Sequence, residues 1–178
     1  MRKIQVIFYS TLIFSLYALK SSAQYDAGGF GGFHMQIMNF GRAGAGLAYG
    51  GMGGAAFGLN GFIGGFGYGG TAQRNNNTVV LGYGGIFGGA TLELSQNQKL
   101  APGARLGFGA YANIDEINSV RNITNGNIMR IEPNLLYNLE AFQKFNIQLQ
   151  AGYSFNLIGN LKNYNSAFLS IGFVLGSF

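Results

Sequence analysis

Apolar and polar residues alternate without a break over residues 145 to 157, FNIQLQAGYSFNL. Phe145, Ile147, Leu149, Ala151, Tyr153, Phe155 and Leu157 form one row; Asn146, Gln148, Gln150, Gly152, Ser154 and Asn156 form the other. A period of two puts successive side chains on opposite faces of a β-strand, so one face meets an apolar medium and the other a polar one. Strands of soluble proteins run to about five or six residues, whereas a strand crossing a bilayer obliquely needs about nine to eleven. Thirteen alternating residues suit the second setting, with the Phe/Ile/Leu/Tyr row toward lipid and the Asn/Gln/Ser row toward a small interior.

Weaker alternation recurs along the chain. Phe33, Met35 and Ile37 oppose His34, Gln36 and Met38, and Ala43, Ala45, Leu47 and Tyr49 oppose Gly44, Gly46 and Ala48. Residues 55 to 59, Asn60-Gly61 and a returning strand with Phe62, Phe66 and Tyr68 on one face spell a hairpin, since Asn-Gly tolerates the positive φ angles of a tight turn. Val79, Leu81, Tyr83 and Phe87 share a phase into which Glu93 then falls, while Leu92 and Leu94 take the other phase; a β-bulge would repair the break. Leu106, Phe108, Ala110 and Ala112 alternate with Arg105, Gly107, Gly109 and Tyr111. Residues 129 to 141 follow the same rule, with Pro133 in the apolar row at the cost of a ladder bond. The last strand carries Ala167, Leu169, Ile171, Phe173 and Leu175. The pattern predicts an all-β fold, an antiparallel up-and-down barrel of about eight strands. The link at 142 to 144 is the shortest, and 73 to 78, 113 to 127 and 158 to 165 read as loops. If both termini face the periplasm, the links at 113 to 127 and 158 to 165 face outward.

The first residues change the setting. Arg2 and Lys3 precede an apolar run to about Leu19, followed by Ser21, Ser22 and Ala23: the order of a secretory signal peptide, with cleavage expected after Ala23. Residues 24 to 32 then form a flexible lead, and 33 to 178 a single barrel domain. Losing Arg2, Lys3 and Lys20 leaves eight basic against six acidic residues, so the net charge falls from +5 to +2 and no nucleic-acid footprint remains. All 31 glycines lie after the signal peptide and oppose helix formation. The absence of cysteine excludes disulfides, thiolate metal sites and a lipidated N-terminal Cys. No stretch after Ala23 approaches the twenty apolar residues of a membrane helix, so a membrane setting requires a closed barrel, which satisfies its own backbone. The glycine run 50 to 70 lacks the Lys and the following helix of a phosphate-binding loop. No cofactor or metal is expected.

The segments GGFGYGG (64 to 70), LGYGGIFGG (81 to 89), RIEPN (130 to 134), QAGYSF (150 to 155) and the ending GFVLGSF resemble a group of uncharacterised glycine-rich secreted bacterial proteins. More broadly the chain resembles small eight-stranded outer-membrane β-barrels. That resemblance implies export to the outer membrane, outer-membrane lipid and the barrel-assembly machinery as partners, and Phe178 as the terminal aromatic which that machinery reads. The apolar row of the last strand lies one residue out of phase with Phe178.

Among residues that could carry chemistry, His34 is the sole histidine and lies on a polar face, where it could serve as a base or simply hydrogen-bond inside the barrel. Arg105, Arg130, Glu132 and Glu140 share the polar faces of two successive strands and are expected to pair across a narrow lumen, plugging it. Adjacent Asp115 and Glu116 point apart on an extended chain. These features favour a non-enzymatic outer-membrane barrel with a structural or interaction role and no open pore, its surface contacts made through 73 to 78, 113 to 127 and 158 to 165. The alternatives are a soluble periplasmic β-domain that binds in a glycine-lined cleft and a lipid-modifying barrel enzyme that uses His34.

Overall fold

The computed structural model describes residues 28 to 57, 60 to 117, 120 to 158 and 165 to 176. The signal peptide, Phe178 and most of the link from 158 to 165 lie outside the described residues.

Among the described residues nine strands run in chain order: β1 (Gly28–Asn39), β2 (Ala45–Phe57), β3 (Gly61–Arg74), β4 (Asn77–Ala90), β5 (Leu92–Ser95), β6 (Gln98–Ile117), β7 (Val120–Phe142), β8 (Phe145–Ile158) and β9 (Ser166–Gly176). Every neighbouring pair is antiparallel. The order β4-β3-β2-β1-β9-β8-β7-β6 closes through β4 against β6, so eight long strands form an up-and-down barrel with β5 appended to β6. Closure pairs both edges of each long strand, which is how a sheet removes its exposed backbone.

β5 continues β4. Gly89 faces Gly103 and Leu92 faces Leu100, the same register, and Thr91 between them binds the Asn60 carbonyl through its N–H (2.6 Å) and its Oγ (3.1 Å). No bulge therefore separates Phe87 from Leu92, and the irregularity lies further on, between Glu93 and Ser95. The phase is continuous. The apolar residues move instead from the lumen (Val79, Leu81, Tyr83, Phe87) to the outer surface, where Leu92 and Leu94 stand exposed.

Three expected boundaries shift. Gly28 to Gly32 are not a flexible lead: they pair with Ala56 to Met52, because a glycine ladder needs no side chain, and they bury Phe30. The 73 to 78 loop shrinks to a turn at Asn75 and Asn76, with Asn75 at φ 53 and Gln73 still facing Thr78. The 113 to 127 loop is largely a hairpin, with Asn113 facing Thr124 and Asp115 facing Asn122. Its Asn-rich strands lack alternation because residues 121 to 125 are exposed on both faces. Pro133 stands where expected: the β7–β8 pairing skips Glu132 and Pro133, then resumes in the same register at Asn134 and Gly152.

The opening pattern holds along β8. Asn146, Gln148, Gln150, Ser154 and Asn156 are buried inside, while Leu149, Tyr153, Phe155 and Leu157 stand outward. The opposite wall is composed differently. β3 and β4 turn Phe62, Phe66, Tyr68, Tyr83 and Phe87 inward and present Gly65, Gly67, Gly69, Gly82 and Gly84 near the outer surface. Phe62 faces Gly89 and Gly64 faces Phe87, so each ring lies over the glycine of the neighbouring strand. A Cβ at Gly64 or Gly89 would come within 2.6 Å of the facing ring. The interior thus has an aromatic half and a polar half.

Candidate functional site

The polar half of the lumen is a single hydrogen-bonded plug centred on Glu132. Arg105 on β6 and Glu132 on β7 are register partners, and Arg105 Nε lies 2.9 Å from Glu132 Oε2. Both side chains are fully enclosed. Arg105 Nη2 donates to Gln36 Oε1 at 3.0 Å and Nη1 to Gln150 Oε1 at 3.4 Å, tying β6 to β1 and β8. The guanidinium also lies over the rings of Phe168 (4.5 Å), Tyr68 (5.1 Å) and Phe66 (5.4 Å). One cation therefore joins the aromatic half to the polar half, since a ring face attracts positive charge.

Arg130 sits two residues before Glu132 on the same face of β7. Its Nη1 lies 3.9 Å from Glu132 Oε1, its Nε donates to Asn156 Oδ1 at 2.6 Å, and its guanidinium lies 5.1 Å from the Tyr83 ring. Glu132 accepts further hydrogen bonds from Ser154 Oγ and from Tyr83 OH, the latter at 3.3 Å. Two cations and two hydroxyls around one carboxylate compensate a charge that would otherwise be costly to bury.

An amide ladder continues from this plug toward the end of the barrel where β1 begins and β9 stops. Gln148 donates to Asn138 (3.0 Å), Asn138 to Asn146 (2.9 Å) and Asn146 to the Gly176 carbonyl (2.9 Å). His34 is fully buried; its ring fills the space above Gly172, and its Nδ1 lies 3.4 Å from Ser170 Oγ. The imidazole is therefore shut off from both solvent and the outer surface.

Three of the four expected network residues, Arg105, Arg130 and Glu132, come together. Glu140 does not: it shares the inward phase of β7 but lies near the strand end, exposed beside a polar pocket with Lys99, Lys144 and Asn146. Gln36, Gln150, Ser154 and Asn156 complete the cluster, and their positions in polar rows marked them as inward. Tyr83 and Phe168 carried no such signal, because each falls in a run of apolar or glycine neighbours. Phe178 lies outside the described residues.

The outer surface is the counterpart of the plug. Phe33, Met35, Ile37, Ile63, Ile86, Phe108, Leu135, Leu149, Leu169 and Ile171 are all at least two-fifths exposed, on strands from around the whole barrel. A closed barrel with a packed, partly polar interior and an apolar exterior is the architecture of the outer-membrane β-barrel class.

Known structures agree on the fold. Neisserial surface protein A superposes with a TM-score of 0.59 at 10% identity, covering 84% of this chain and 96% of that one. Ail, the attachment invasion locus protein of Yersinia pestis, gives 0.57 at 8% identity over 85% of this chain and 97% of Ail. The N-terminal β-barrel domain of Pseudomonas aeruginosa OprF gives 0.53 at 10% identity over 86% of this chain and 98% of that domain. No family model and no curated protein matches the sequence.

Proposed function

We propose that this chain is exported with cleavage after Ala23 and resides in the outer membrane as a sealed, non-enzymatic barrel with a structural or interaction role. The observation that carries this reading is the Arg105–Glu132–Arg130 plug, which fills the lumen while the outward rows remain apolar. An eight-stranded barrel has room for little besides side chains, and here salt-linked side chains occupy it. The β6–β7 hairpin supports an interaction role: β7 starts at Val120, well before its first pair with β8 at Met129, and its Arg121, Asn122, Ile123 and Asn125 are exposed at the end opposite the start of β1. Turn 75 to 76, the end of β8 at Ile158 and the start of β9 at Ser166 lie at that same end, and the hairpin, that turn and the 158 to 165 link are the candidate contact segments. Phe178 is the residue offered to the assembly machinery.

Reconstitution in liposomes tests the sealed lumen. Vesicles containing the protein are expected to hold an ion gradient as long as empty ones; steady conductance through the wild type would overturn the reading. The exterior argues against a soluble periplasmic domain, and the enclosure of His34 against a lipid-modifying enzyme.

A further inference from the structure

β7 outruns β8. Its ladder with β8 begins at Met129, opposite Ile158, whereas its ladder with β6 runs without a shift from Leu139 to Val120. Among the described residues, 120 to 128 therefore pair on one edge only. The backbone pattern says which groups face the open side. Glu116 N–H donates to the Asn76 carbonyl (2.9 Å), away from β7, so Glu116 and its register partner Arg121 are a non-hydrogen-bonded pair of the β6–β7 ladder. Every second residue of β7 repeats that direction. Glu140, in the other phase, donates to Asn97, just before β6, which agrees. Arg121, Ile123, Asn125 and Asn127 thus turn their N–H and C=O groups to the open side. The other edge of the hairpin presents no such row, because β4 covers β6 as far as Asp115.

Sheets ordinarily blunt a free edge with lysine, proline, a bulge or a covering loop. From Asn122 to Met129 this edge carries no charged residue and no proline, and its register with β6 is unbroken. We infer that the edge takes an extended segment of a soluble partner polypeptide as an added strand, which names the partner class for the interaction role proposed above and rests on it. Outward N–H and C=O groups on alternate residues, about 7 Å apart, are complementary to another extended backbone. Two nearer occupants fit poorly. The six-residue link between Ile158 and Asn165 leaves and returns at one level, since Asn156 N–H donates to Asn165 Oδ1 (2.9 Å), so out and back it climbs at most about 10 Å. The edge from Asn127 to Arg121 is about 20 Å long. In a second copy in the same membrane β7 tilts by about 40° from the normal, so two such strands related by a twofold axis along the normal cross at about 80° and do not lie side by side. Ile123 adds selection: it stands 58% exposed across from Ile114, and a β-branched residue beside it on the added strand would cover apolar surface.

Amide exchange by NMR of the protein in phospholipid nanodiscs tests the proposal, with a peptide of alternating threonine and valine, a lysine at each end, as the probe. In the free protein the amides of Arg121, Ile123, Asn125 and Asn127 should exchange faster than those of Asn122, Thr124 and Gly126, which donate to β6. The peptide should bind and slow the fast set, and the same peptide N-methylated along its length should not bind. Asn125→Pro removes one outward N–H while leaving the β6 ladder its donors, and it should weaken binding about tenfold. Where proline disturbs the hairpin, a variant with residues 113 to 124 replaced by an Asn-Gly turn keeps the barrel and should bind no peptide. Uniformly slow exchange in the free protein overturns the proposal, as does peptide binding that survives methylation or the shortened hairpin. Protection that rises with protein concentration alone marks a second copy and overturns it too. Heat-modified mobility is read on the same samples. A heat-modifiable protein that takes no peptide sinks the added strand alone, whereas a protein soluble without detergent sinks the outer-membrane reading and the inference with it.

Discussion

Arg105 and Glu132 face each other directly across the β6–β7 ladder, with Nε and Oε2 2.9 Å apart and neither side chain open to solvent. They form the cross-link on which the interior converges, because Arg105 also reaches β1 and β8 while Glu132 also receives Tyr83 of β4 and Ser154 of β8. Removing one partner strands a buried charge. Glu132→Ala is therefore expected to destabilise the barrel by about 3–5 kcal/mol, read as urea unfolding in lipid vesicles. Replacing both residues with leucine should cost less than Glu132→Ala, because only Arg130, rather than two buried cations, then loses its carboxylate. Equal losses would show that the pair acts through packing alone.

The glycines divide into two kinds. Gly64 and Gly89 receive the rings of Phe87 and Phe62, so Gly64→Ala should cost about 1–3 kcal/mol by overpacking. At Gly67 an added Cβ meets nothing within 4 Å, and Gly67→Ala should change stability by less than about 0.5 kcal/mol. The same unfolding titration compares the two variants.

Much of this division was legible in the sequence, and part was not. The row of Asn146, Gln148 and Gln150 declared its inward face because lipid and lumen differ in polarity along β8. Along β3 and β4 that contrast is lost: aromatic residues face a lumen lined by other aromatics, glycine faces outward, and alternation alone does not say which side is which. The break of phase after Phe87 belongs to the same problem, since the apolar residues change sides while the strand runs on without a bulge. Arg105 and Glu132 could be named as network members, but their register could not, because it depends on how far the β6–β7 hairpin extends. That hairpin read as a loop: where both faces of a strand are solvated, nothing enforces a period of two. Glu140 had the right phase and the wrong height, and phase carries no information about height.

His34 is enclosed between β1, β9 and its contact with Ser170. His34→Ala removes that contact and leaves a cavity, with an expected cost of about 1–3 kcal/mol. Cells carrying the variant should show an unchanged outer-membrane lipid profile by mass spectrometry. A changed profile would point to the enzyme reading instead.

Phe178 follows β9 by two residues. Deleting it should slow assembly, seen as unfolded precursor accumulating in the periplasm in pulse-chase labelling, while the stability of the folded fraction is unaffected. Normal assembly kinetics would show that the signal lies elsewhere, for example in the apolar row from Ala167 to Leu175.

An apolar exterior and a salt-linked interior are the two features expected of a closed barrel embedded in a membrane. Cell fractionation followed by gels of unboiled and boiled samples tests that embedding most directly. The protein is expected to stay with outer membranes through a carbonate wash and to change mobility on boiling. Release into the soluble fraction without detergent, with one mobility before and after boiling, would contradict it.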